Sequence, residues 1–230
     1  MSRPHPWRAW IGVLLLVIGR AAWGLPPLPQ AWQPEIEQLV ANDSAHPPPQ
    51  RGVLFVGSSS IRMWTRLASD FPGVPVINRG FGGSAIADST YYADRIIVPY
   101  HPRLIVMYAG DNDIAEGNTP AQVLVEFKAF AGRVRRALPA TAIVYISIKP
   151  SLARAALWPQ MRKANRLIAG WSRQQNGITF VDVAARMLDA NGQPRAELFR
   201  ADGLHMDAAG YAIWVQALKP VLARHGFAVH

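Results

Sequence analysis

Between residues 52 and 183, apolar and polar positions alternate in blocks rather than singly. Five short apolar runs, "GVLFVG", "VPVIN", "RLIVMYAG", "AIVYISI" and "GITFVDV", are rich in Val, Ile, Phe and Tyr and are bounded by Gly, Pro or polar residues. Continuous apolar runs of this length suit strands buried on both faces. Around them the pattern changes to a helical period, which predicts helices over about Ser84 to Asp94, Pro120 to Leu138, Trp158 to Gln175 and Ala208 to Arg224. Strand and helix in alternation imply a parallel sheet with right-handed crossovers and helices on both faces. The expected fold is therefore a three-layer α/β/α domain with a five-stranded sheet, over residues 51–230. Upstream, "AWQPEIEQLVAND" places Trp32, Ile36, Leu39 and Val40 on one helical face. "SAHPPPQRG" then reads as a stiff linker, because three prolines cannot continue a helix. Residues 25–50 are accordingly an N-terminal helix followed by a proline-rich linker.

Residues 1–24 break this pattern. Arg3 and Arg8 precede an apolar run from Ala9 to Gly19, and Arg20 follows it. The run is shorter than the ~20 apolar residues that span a bilayer. A basic start, a short apolar middle and small residues match a secretory signal, and Ala22 and Gly24 suit cleavage after Gly24. Export to the periplasm or beyond the cell is expected, with a retained membrane tether as the rival role of residues 1–24. The composition, 50% hydrophobic and 17% charged over 230 residues, fits one domain with a substantial core. With no cysteine, disulfides and thiolate metal sites are excluded. The six histidines show no HxH or HxxxH spacing, so no metal is expected. The net charge of +9, or +6 without the three arginines of residues 1–24, raises the question of nucleic acid. The positive charges are spread at helix-compatible spacing and no basic run is interleaved with aromatics, so no nucleic-acid partner is expected.

In open parallel sheets, ligands gather at the carboxyl ends of the strands. The five runs lead, in order, into "GSSS", "NRGFGGS", "AGDND", "SIKPS" and, past a short irregular stretch, "ADGLH". Each has a plain structural reading. A serine at a strand-to-helix turn is a common N-cap. Gly, Asp and Asn favour turns, Asp202 suits an Asx-turn, and Asp207 is the better N-cap of the last helix. "RGFGGSA" also fits the G-x-G-x-x-A dinucleotide fingerprint, although the acid expected ~20 residues on is missing. A non-catalytic nucleotide-binding module is the reading this suggests from another class. The nucleophile elbow G-x-S-x-G is absent, since Ser60 and Ile61 follow Ser59. Taken together, the blocks supply what acyl transfer needs: a nucleophile, a base, a carboxylate to orient the base, and donors for an oxyanion.

In this order the blocks resemble those of the SGNH hydrolases, also called GDSL-type esterases and lipases. "FVGSSSIR" resembles the first block, "NRGFGGS" the second, "GDND" the third and "DGLH" the fifth, across about Val53 to Leu222. The resemblance implies a flavodoxin-like sheet of order 2-1-3-4-5. It also implies Ser59, His205 and Asp202 as catalytic residues, and Ser59, Gly83 and Asn112 as the oxyanion hole, with no cofactor. Ser58 departs from the family, which usually has aspartate there. The implied activity is hydrolysis of short-chain, chiefly acetyl, esters of small molecules or carbohydrates, with lysophospholipids and thioesters as alternatives. Trp64 and Trp158 are candidates for aromatic walls of the site, or for core.

Overall fold

The computed structural model describes residues 29–229. The signal or anchor reading of residues 1–24 lies outside the described residues; among those described, no helix is long and apolar enough to cross a membrane. The sheet has five parallel strands, β1 (Val53–Gly57), β2 (Val76–Gly80), β3 (Leu104–Tyr108), β4 (Ala142–Ile146) and β5 (Ile178–Val181), in the order β2-β1-β3-β4-β5. The helices are α1 (Gln33–Ala45), α2 (Ser59–Arg62), α3 (Leu67–Asp70), α4 (Ile86–Tyr91), α5 (Ala93–Ile96), α6 (Asp111–Ala115), α7 (Pro120–Ala137), α8 (Trp158–Ser172) and α9 (Ala208–Arg224).

The period of two along each strand divides the core into two layers. Leu54, Val56, Ile105, Met107, Ile143 and Tyr145 face α1, α4, α5, α7 and α8. Val53, Phe55, Leu104, Val106, Tyr108, Val144 and Ile146 face α2, α3 and α9. All five residues of β1 and of β3 are buried, which is why the sequence shows them as unbroken apolar runs. The last helix lays Tyr211, Trp214, Leu218, Val221 and Leu222 on the sheet, each worth ~1.5–3 kcal/mol of apolar burial.

Several short helices differ from expectation. The stretch from Ser84 to Asp94 forms two short helices, α4 and α5, rather than one. α2 and α6 are single turns directly after β1 and β3. The strand ends are tied to one another there: Ser58 N–H, at the start of α2, donates to the Tyr108 carbonyl at 3.0 Å, and Phe81 N–H, just past β2, to the Gly57 carbonyl at 3.0 Å. Gly57 and Gly110 make these turns at φ 132° and 116°, conformations suited to a residue without Cβ. α1 packs onto the same domain. Its Ile36 is fully buried, and its Asp43 pairs with Arg79 of the edge strand β2 and accepts from Tyr100.

Candidate active site

Ser59, His205 and Asp202 meet at the carboxyl edge of the sheet. Ser59 opens α2, flanked by two buried serines, and it is the one of the three with partial exposure. Its Oγ lies 2.9 Å from His205 Nε2, across 146 residues of sequence. His205 Nδ1 lies 2.7 Å from Asp202 Oδ2. The N-cap of α2 is Ser58, without a side-chain capping bond, so Ser59 is not held in a capping role. Asp202 does two things at once: Oδ2 grips the imidazole, while Oδ1 accepts from Leu204 N–H and His205 N–H, both at 2.9 Å. The Asx-turn and the pairing with His205 coexist in one carboxylate. The loop closes on itself, with Arg200 N–H donating to the His205 carbonyl and Gly203 N–H to the Arg200 carbonyl. Asp207 then caps α9 by accepting from Gly210 N–H. The hydrogen bond from the His205 ring, followed by those from the Leu204 and His205 backbone, holds the Asp202 carboxyl well below the usual carboxylate range.

The second and third blocks face each other at the same carboxyl edge of the sheet, past β2 and β3. Gly83 is exposed and left-handed at φ 44°, with the Trp32 ring on the side where a Cβ would point. Asn112, in the first turn of α6, is buried, and its Nδ2 donates to the Ser84 carbonyl at 3.0 Å. That bond ties the Asn112 amide to the loop that carries Gly83. α1 braces the same loop from outside: Glu35 Oε2 accepts from Gly82 N–H at 2.9 Å, and Glu35 also pairs with Arg62. A carboxylate thus occupies the backbone donor that a phosphate would need, and the loop is not a dinucleotide cradle.

Behind Asn112 lies a cluster that sequence reasoning missed. Asp111 Oδ2 accepts from Tyr108 Oη at 3.0 Å and lies 3.4 Å from both Lys149 Nζ and Arg154 Nη1. Arg154 Nη2 donates to Asn112 Oδ1 at 2.8 Å. Burial alone would raise the Asp111 carboxyl, but the charges of Lys149 and Arg154 bring it below the usual range. Burial lowers the Lys149 ammonium, with Asp111 opposing that shift. The one local signal was Lys149 itself, a charge directly after the buried run of β4. Trp64 is core rather than a wall of the site: it is 1% exposed, its Nε1 donates to Asp70 at 2.7 Å, and it stacks on Tyr211. Trp158 is half-buried at the start of α8 and lines a separate groove with Phe180 and Asp182.

The model of the GDSL-like Lipase/Acylhydrolase family matches residues 26–213. No curated protein sequence matches the chain. Among solved structures, a Streptococcus pneumonia protein provisionally assigned as a platelet activating factor is 23% identical, with TM-score 0.74 over 84% of this chain and 93% of its own. A GDSL-like lipase from Bacteroides thetaiotaomicron is 20% identical, with TM-score 0.71 over 82% of this chain and 97% of its own. An acetyl-xylooligosaccharide esterase from Geobacillus Stearmophilus is 15% identical, with TM-score 0.60 over 78% and 96%. At these identities the likeness is one of fold.

Proposed function

Because the chain belongs to the GDSL-like lipase/acylhydrolase family and is a carboxylic ester hydrolase, we propose that it is a serine esterase for short-chain, chiefly acetyl, esters, with Ser59 as nucleophile. The observation that carries this reading is the unbroken hydrogen-bond chain from Ser59 Oγ through His205 to Asp202. Ser59 Oγ attacks the ester carbonyl carbon while His205 Nε2 takes its proton. Asp202 keeps the proton on Nδ1 and stabilises the imidazolium as it forms. The carbonyl oxygen becomes an oxyanion, met by the N–H groups of Ser59 and Gly83 and by Asn112 Nδ2. His205 returns the proton to the departing alkoxide, which leaves as the alcohol. Water, deprotonated by His205, then attacks the acyl-enzyme and releases the carboxylic acid and free Ser59. The acetyl preference takes its support from the fold shared with an acetyl-xylooligosaccharide esterase.

Asp202, held ionised by its hydrogen bonds, keeps an acceptor in place for His205 Nδ1–H throughout the cycle. The test is Ser59→Ala on p-nitrophenyl acetate. A loss of roughly 10⁴–10⁶ in kcat is expected from removal of a triad nucleophile. Wild-type turnover in that variant would overturn the mechanism. A flat or rising kcat/KM from acetyl to octanoyl esters would overturn the acyl preference.

A further inference from the structure

We infer that Arg154 is a positioning residue of the oxyanion hole: its guanidinium decides which end of the Asn112 carboxamide faces the reacting carbonyl, and strengthens that end as a donor. The inference rests on the oxyanion role proposed for Asn112. A carboxamide is nearly symmetric in shape, and only its surroundings distinguish oxygen from nitrogen. Here Oδ1 accepts from Arg154 Nη2 at 2.8 Å, and Nδ2 donates to the Ser84 carbonyl at 3.0 Å. Turned over, the amide would set its N–H groups against the guanidinium and its oxygen against the Ser84 carbonyl, so both bonds would become repulsive contacts. Nδ2 carries two hydrogens. Ser84 takes one, and the other is left for the oxyanion. A cation bonded to Oδ1 also draws electrons from the amide and makes that remaining N–H a stronger donor.

Arg154 is itself held. Its side chain is 19% exposed, and its Nη1 is buried, with Asp111 Oδ2 at 3.4 Å and no hydrogen-bond partner. Asp111 is fixed in turn by Tyr108, by Lys149 and by the Asn112 N–H, which donates to its Oδ1. Asp202 and Glu116 add negative charge near Lys149 and Arg154, so the cluster as a whole is balanced and its role is one of position. The N–H it aims meets a full negative charge only at the tetrahedral stage, and so favours the transition state over the bound ester.

The test is a double-mutant cycle on p-nitrophenyl acetate with Arg154→Met, Asn112→Ala, the pair combined, and Ser59→Ala as reference. Asn112→Ala is expected to lower kcat by about 10²–10³. Arg154→Met should lower kcat about tenfold with KM within about twofold, because it acts through a donor that is still present. In the combined variant, the loss should equal that of Asn112→Ala alone to within about threefold, since without the amide there is nothing left to position. Arg154→Lys, which keeps the charge but not the fork, should recover part of the loss. It also takes the place of Arg154→Met in the cycle if the latter fails to fold. An Arg154→Met enzyme with wild-type kcat, a loss confined to KM, or losses that multiply in the combined variant would each overturn the positioning role. Should Asn112→Ala keep wild-type kcat while Ser59→Ala is dead, the oxyanion assignment of Asn112 falls and this inference with it. Only an active Ser59→Ala strikes the esterase reading as a whole.

Discussion

Gly80 ends β2 against the backbone of α2, the turn that presents Ser59. A methyl in place of its hydrogen would lie 2.2 Å from Arg62 N and 2.7 Å from the Ile61 carbonyl carbon and Cβ. A carbon keeps at least about 3.0 Å from such atoms, so Gly80→Ala must open the contact by about 0.8 Å, and by about 1.2 Å for ordinary packing. β2 gives little of this, because it is paired with β1 along its whole length and tied to α1 through Arg79 and Asp43. α2 is one turn and yields more readily. If its shift is carried to Ser59, the 2.9 Å separation of Oγ and Nε2 grows to about 3.7–4.1 Å, outside hydrogen-bond reach. A misplacement of about 1 Å costs on the order of 10²-fold in rate. The overpacking itself costs about 1–3 kcal/mol, or roughly 2–12 °C in Tm at this size. Gly80→Ala should therefore remain folded by circular dichroism, lose about 10² in kcat/KM on p-nitrophenyl acetate, and react with a fluorophosphonate more slowly by a similar factor. Gly177→Ala is the control. At φ 73° with open space around it, it costs only the left-handed backbone penalty of about 1–2 kcal/mol and leaves the site untouched. Gly80→Ala with kcat/KM within threefold of wild type would refute the reasoning. So would an equal loss of activity in Gly177→Ala, which would mean that activity follows stability rather than geometry.

Ser58 Oγ is buried without a hydrogen-bond partner, so Ser58→Ala should leave stability within about 1 kcal/mol, or raise it, and kcat within threefold. Urea denaturation and turnover check both, and a 10²-fold loss of kcat would bring Ser58 into the mechanism. Asp113 Oδ2 and Glu126 Oε2 are both buried and can bond each other only if one carries a proton. Burial, and then the hydrogen bond with Glu126, push the Asp113 carboxyl well above the usual range. A raised folded-state pKa contributes stability in full below the unfolded value of about 3.9, and that contribution is lost as pH rises through the folded value. Asp113→Asn mimics the protonated acid, accepting from Ile86 N–H and donating to Glu126, so its Tm should fall less than wild type between pH 5 and pH 9. Parallel Tm profiles would refute the shared proton.

β1 and β3 were legible because burial on both faces leaves no polar residue to interrupt them, as in "VLFVG" and "LIVMY", whereas the edge strands β2 and β5 are only partly buried and carry polar residues such as Asn78 and Thr179. α7 and α9 were legible for the opposite reason, since one face of each is buried and the period of 3.6 shows. α2 and α6 were not, because single turns carry no period. At the site, Ser59, Gly83, Asn112, Asp202 and His205 stood out because each lies in a short block just beyond a strand or at the last helix. Arg154 and Lys149 did not, because their meaning lies in partners 42 and 38 residues away. Glu35 is separated from Gly82 by 47 residues and belongs to a helix that the sequence pattern set apart as a leader to the domain. Trp64 stayed open between a wall of the site and core for a related reason: only packing shows it turned inward.

Asp202 closes its own loop with one oxygen and aims the imidazole with the other. The tool and its mount are one side chain. Fraying of residues 200–206 would therefore disarm the enzyme while the sheet beneath stays intact, and each reclosure would restore the ring to its working position without any wider rearrangement.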